Sequence, residues 1–151
     1  MIRTRVGYAG GTHPNPTYHD LGDHTESIEI DFDPSVIGYD DLLAVFWQEH
    51  GGTRPAWSVQ YAAFVFARDG DQERQARASL EERQRELGQT ITTKVRRLDR
   101  FWRAEDYHQK FRLRHRTELA AALLAHYGGE RAFIDSTAAA RLNGLVAGYG
   151  K

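Results

Sequence analysis

An α+β domain with a largely antiparallel sheet follows from three features of the sequence. Short period-two runs indicate strands, two longer stretches carry helical periodicity, and the strands fall partly as neighbours and partly across helices. The first run is Ile2 to Tyr8, with Ile2, Thr4, Val6 and Tyr8 on one parity and Arg3 and Arg5 on the other. Gly10-Gly11 ends it, and Pro14-Asn15-Pro16 prevents regular structure to about Leu21. The second strand spans Glu26 to Phe32, where Ile28, Ile30 and Phe32 alternate with Ser27, Glu29 and Asp31. Its parity predicts a buried face holding Ile28, Ile30, Phe32 and the carboxylate of Glu26.

Asp33-Pro34-Ser35 turns the chain into an amphipathic helix. Tyr39, Leu42, Leu43, Phe46 and Trp47 share one face, Asp40 and Asp41 lie in the first turn, and Gly51-Gly52 closes it. Gln60 to Ala67 is apolar at both parities and predicts a central strand. A charged helix follows Asp69-Gly70-Asp71, with a narrow stripe of Ala76, Leu80 and Leu87, and stops at Gly88. Ile91 to Arg97 predicts another strand. Beyond FWRAEDYHQKF the chain reads as mostly helical to Tyr127, with a short Ala-rich turn after Asp135-Ser136-Thr137.

With 151 residues the chain has room for a hydrophobic core, and 20 basic against 21 acidic side chains give no field that would favour nucleic acid or an anionic membrane. No apolar run approaches a membrane span and MIRTRVGYAGG has no signal-peptide core, so the expectation is a cytoplasmic protein. Cysteine is absent, which removes thiol nucleophiles, thiolate metal ligands and disulfides from these residues.

Three side chains stand out chemically. A carboxyl on a buried strand face is desolvated and favours its neutral form, which would let Glu26 donate a proton or a hydrogen bond. Tyr18 and Tyr61 each carry a phenol at the tip of an apolar ring, suited to lining a small pocket. The plainer alternatives are a Glu26 bent toward water and two ordinary rim tyrosines. His13, His19, Asp20, Asp23 and His24 suggest a metal, but their spacing fits no zinc or calcium pattern, and no metal is expected. GYAGG lacks the ending of a phosphate loop, no serine sits in a Gly-x-Ser-x-Gly turn, and Arg112, Arg114, His115 and Arg116 read as a solvated helix face.

Three blocks resemble the methionine sulfoxide reductase A family: VGYAGGTHPNPTY at Val6 to Tyr18, HTESIEIDFDPSVIGYDDLLAVFW at His24 to Trp47, and FWRAEDYHQKF at Phe101 to Phe111. The resemblance implies a ferredoxin-like α/β sandwich over residues 1–111, with residues 112–151 a helical extension packed on it. It also implies reduction of methionine S-sulfoxide, in proteins or free. A cysteine attacks the sulfoxide sulfur, the oxygen leaves as water, and an external thiol or thioredoxin reduces the resulting sulfenic acid. No bound cofactor is implied. The family's oxygen-binding groups fall on Tyr18, Glu26 and Tyr61.

Two departures accompany this resemblance. The family's Gly-Cys-Phe-Trp block, which supplies the nucleophile and the wall for the substrate methyl, lies on a strand that precedes the one at Ile2 and is followed by a helix. The expectation is that the natural product starts upstream with a cysteine or selenocysteine. The family's acid before the Gln-Tyr pair falls on Ala56, and its arginine after it on Ala62. These departures set a second expectation beside the reductase: a non-catalytic module that recognises oxidised methionine. A monomer without nucleic-acid or membrane partners is expected.

Overall fold

The computed structural model describes residues 2–50 and 52–150. Five strands and six α-helices are spread along these residues, the last four helices following the last strand. Strand β1 is Arg3–Ala9 and β2 is Thr25–Asp31; helix α1 is Tyr39–Glu49; β3 is Phe64–Ala67; α2 is Gly70–Leu87; β4 is Lys94–Arg97 and β5 is Phe101–Arg103. Helices α3 (Phe111–Arg114), α4 (Thr117–Tyr127), α5 (Glu130–Asp135) and α6 (Thr137–Val146) complete the chain. The strands form a sheet of order β2-β1-β5 and a separate β3-β4 pair. The mixed α+β architecture agrees with the sequence expectation. The β3-β4 pair is parallel, as a connection through the long helix α2 requires.

Two compact units divide the chain. One comprises the residues up to Gly7, Ser27–Asp33 and the stretch from Arg103 onward; the other comprises Tyr8–Glu26 and Pro34–Trp102. The core of the second unit gathers Leu43 and Trp47 of α1, Val65, Ala76, Ile91 and Val95, with Leu80 and Leu87 packed against it. The narrow stripe read from α2 is therefore the stripe that is used. Trp47 also satisfies its indole N–H, donating to Ser79 Oγ at 2.6 Å. Helix α1 ends at Glu49 with His50 as its cap; Gly51, expected to help close it, lies outside the described residues.

In the first unit, Leu113, Phe133, Ile134 and Ala139 form a fully buried cluster. Arg114 lies over the Phe133 ring and grips Glu130 through two nitrogens at 2.6 and 3.2 Å. The Ala-rich stretch predicted as a short turn is instead helix α6. Ser136 caps it by accepting from Ala139 N at 3.0 Å, and the alanines that follow are strong helix formers.

Strand β2 reverses its expected faces. Ile28 and Ile30 are 60% and 36% exposed, Glu26 is also exposed, and Ser27, Glu29 and Asp31 are the half-buried set. The charged face is the one covered in this unit. Arg5 donates to Glu29 and to Asp135, each at 2.7 Å, and Arg3 pairs with Asp31. Burial pushes the Asp135 carboxyl up, but the Arg5 hydrogen bond and the charges of Arg5, Arg3 and Arg103 outweigh it and hold the group below its ordinary range.

Lys110 is buried in the same unit. It takes a left-handed backbone (φ 55°) just before α3, and its ammonium donates to the backbone carbonyl and hydroxyl of Thr4. Desolvation is the largest influence on it and lowers its pKa from 10.5 to about 8.

Candidate functional site

The candidate site is built where the glycine-rich loop after β1, the start of β2 and the segment before β3 meet. Gly10 has φ +84°, and a Cβ there would come within 2.6 Å of the Phe66 ring. At Gly11 a Cβ would lie 2.6 Å from the backbone nitrogen of His24. Both contacts require glycine, so the loop folds tightly against the start of β2.

His24 fixes that approach. Its ring is 1% exposed; Nδ1 accepts from Gly11 N at 3.2 Å, so Nε2 carries the proton and donates to the His13 carbonyl at 2.8 Å. Asp23 accepts from the backbone N–H groups of Thr12 and His13 at 2.8 to 2.9 Å and from the Thr12 hydroxyl at 3.0 Å. The His13 and Thr12 amides are the main reason its pKa is lowered from 3.8 to about 2. His13 Nε2 lies 3.2 Å from Asp20. These side chains hold the loop in shape. Among the described residues, no group of three His, Cys, Asp or Glu side chains is arranged to hold a metal ion.

Thr25 follows His24 and is also buried. Its hydroxyl lies 2.6 Å from the Val59 carbonyl and 3.0 Å from those of Gln60 and Ala62. This junction explains a second difference from the sequence expectation. Gln60 to Ala67 is not one strand: Val59–Tyr61 forms a 3-10 turn, and β3 begins only at Phe64. Bending the chain around Thr25 places Gln60 beside Glu26, and Gln60 Nε2 donates to Glu26 Oε1 at 2.7 Å.

The structure places the three predicted site residues at different points of this junction. Glu26 is exposed at the start of β2, so the burial that was expected to keep it neutral is missing; its parity is shared with Ile28 and Ile30, whose face is open. Tyr61 is partly exposed at the end of the 3-10 turn and packs its ring on Trp57, with centroids 4.9 Å apart. Tyr18 is partly exposed next to the Thr17–Asp20 bridge, with its ring edge-on to His19 at 5.4 Å. The Gln60–Glu26 bond thus ties the turn that carries Tyr61 to the start of β2, and Tyr18 lies in the loop that His24 and Asp23 organise.

Known proteins resemble this chain in sequence and in structure. The family model described as peptide methionine sulfoxide reductase matches residues 1–138. The chain belongs to that family.

Among its relatives is a peptide methionine sulfoxide reductase of Drosophila melanogaster, 43% identical over 99% of this chain and 61% of that protein. Another is the peptide methionine sulfoxide reductase A5 of Arabidopsis thaliana, 42% identical over 76% of this chain and 47% of its own length. Methionine sulfoxide reductase A of Corynebacterium diphtheriae has a similar structure, with a TM-score of 0.67 and 29% identity over 72% of this chain and 61% of that one. The reduced form of Saccharomyces cerevisiae Mxr1 gives a TM-score of 0.65 at 25% identity, over 70% of this chain and 66% of that one. The chain therefore spans about three-fifths of the length of the Drosophila relative.

Sequence reasoning misses two parts of this candidate site, Thr25 and Gln60. Thr25 shares a parity with the charged residues of β2, which predicts a solvent-facing side chain, and Gln60 falls inside the run that predicts a strand. The adjacent turn-breaking segment TRPAWS is the available signal that the strand starts later.

Proposed function

We propose that the loop at Tyr18, the carboxyl of Glu26 and the phenol of Tyr61 bind the oxygen of methionine S-sulfoxide, in proteins or as the free amino acid. The observation that supports this reading is the Gln60–Glu26 hydrogen bond, which ties the acid of the family motif to the turn that carries Tyr61. A sulfoxide oxygen is a strong acceptor, and hydroxyl donors aimed at it withdraw electron density from sulfur. The sulfur then accepts a thiolate while the oxygen takes up two protons from solvent, relayed at the site by Glu26, and leaves as water. Addition of a water to the attacking cysteine sulfur breaks the sulfur–sulfur bond, releasing methionine, a sulfenic acid and a proton. An external dithiol or thioredoxin returns the sulfenic acid to the thiol, with net loss of one water and formation of the donor's disulfide.

None of the 151 residues is a cysteine, so the nucleophile of this reaction comes from outside them. These residues supply substrate binding and oxygen polarisation, and by themselves they turn over no sulfoxide. In a complete reductase the site serves the repair of oxidised methionine under oxidative stress, in a cytoplasmic monomer. No helix among the described residues is long and apolar enough to cross a membrane.

Calorimetric titration with a peptide carrying the S-epimer of methionine sulfoxide tests the binding half. Glu26→Gln, Tyr18→Phe and Tyr61→Phe each weaken binding on this reading; unchanged heats in all three overturn it. Incubation with methyl p-tolyl sulfoxide and dithiothreitol tests the other half, with product above the protein-free background as the contrary result. A second reading is supported by Ala56 and Ala62, which stand where the family has an acid and an arginine: a pseudoenzyme that retains recognition of oxidised methionine without chemistry.

A further inference from the structure

We propose that Trp57, stacked on Tyr61, is a specificity-determining residue that receives the side chain next to the oxidised methionine and makes the site prefer polypeptide over the free amino acid. The inference rests on the sulfoxide-binding reading above. Trp57 is 83% exposed, an unusual state for the largest apolar side chain. Its exposure is not that of a loose side chain, because the indole packs against the Tyr61 ring at 4.9 Å and 38°. The residue before Tyr61, Gln60, donates its side-chain amide to Glu26 and accepts the Thr25 hydroxyl at its carbonyl. The indole is therefore an open apolar surface resting on the ring of one of the proposed oxygen-binding residues.

The chemistry of the segment indicates what it would take. Residues 55–61 carry no charge, and Pro55, Ala56, Trp57, Val59 and Tyr61 are all exposed. Ala56 and Ala62 stand where the resemblance expects an acid and an arginine, so an apolar group laid on residues 55–62 meets no charged side chain belonging to the strip itself. A free amino acid would place its own ammonium and carboxylate near the rings, whereas a peptide replaces both with amides and adds flanking side chains. An aliphatic or aromatic neighbour on the indole fits this strip; an acidic or glycine neighbour gains nothing from it.

The test compares two probes that share the sulfoxide: the S-oxide of N-acetyl-methionine N-methylamide, and a pentapeptide with phenylalanine on both sides of the same S-sulfoxide. The wild-type chain is expected to bind the pentapeptide roughly five- to tenfold tighter, from the added aromatic contact. Trp57→Ala abolishes that preference and leaves the small probe within about twofold, while Trp57→Phe retains most of it. Replacing the flanking phenylalanines with glycine on the wild-type protein gives the same loss without altering the fold.

A peptide preference that survives Trp57→Ala overturns the inference, as does equal weakening of both probes. Binding of the small probe with no peptide preference in the wild type overturns it while leaving the sulfoxide site intact. Failure of the wild type to bind either probe overturns the sulfoxide reading and this inference together.

Discussion

Gln60 donates its side-chain amide to Glu26 across 2.7 Å, joining the start of β2 to the turn that carries Tyr61. The contact orients an exposed carboxylate that has no buried wall to hold it. A hydrogen bond to a charged group contributes roughly 1.5–3 kcal/mol where solvent is excluded and less at an exposed site such as this.

Gln60→Ala is therefore expected to weaken binding of a methionine sulfoxide peptide severalfold while leaving thermal stability nearly unchanged. Titration calorimetry beside a melting curve reads both. Unaltered affinity would show that Glu26 does not depend on this partner.

Thr25→Val keeps the shape of the side chain and removes the hydroxyl that faces three backbone carbonyls. Leaving a buried acceptor unpaired costs about 1–3 kcal/mol, so the variant should melt several degrees lower. Because the same carbonyls shape the Val59–Tyr61 turn, sulfoxide binding should weaken as well. A variant with wild-type stability and affinity would show that the turn holds without this hydroxyl.

Lys110 gives a pH dependence whose sign is fixed by its environment. Its folded pKa, about 8, lies below the ordinary 10.5, so in that interval the unfolded chain binds more protons than the folded one. Stability linked to this group therefore rises as pH climbs from about 8 toward 10.5, by a total on the order of 3 kcal/mol. Denaturant unfolding of the wild type and Lys110→Met at several pH values measures the difference between their slopes. Parallel profiles would remove the linkage.

Much of the fold can be read in the sequence because its signals are local. Trp47 and Leu43 lie on the predicted face of α1, Ala76 on the narrow stripe of α2, and Asp69 caps α2 by accepting from Gln72 N. What escapes depends on contacts between distant residues. Period-two alternation shows that Ile28 and Glu29 lie on opposite faces of β2, but it does not show which face is covered. Arg5 decides that by pairing with Glu29 and Asp135, residues 24 and 130 positions away. Likewise, nothing local in QYAAFVFA announces that Thr25 will bend its first residues into a turn. Helix α6 is different: the Ser136 cap and the alanines after it are local signals, and they outweigh the shortness of the segment.

The site is partly legible for the same reason. Tyr18, Glu26 and Tyr61 can be chosen from residue type and motif, and Gln60 links Glu26 to the turn that carries Tyr61. The exposure of Glu26 is not legible, since it depends on what covers the Ile28–Ile30 face.

Polarisation of the sulfoxide oxygen is the central claim, and the S=O stretching vibration reports it directly. Oxygen-18-edited difference infrared spectra of a bound methionine S-sulfoxide peptide should show the stretch at lower frequency than in water. In Tyr18→Phe, Glu26→Gln and Tyr61→Phe, the shift should shrink toward the free value. A ligand that binds the wild-type chain with an unshifted stretch, or a shift that all three variants reproduce, would contradict the claim.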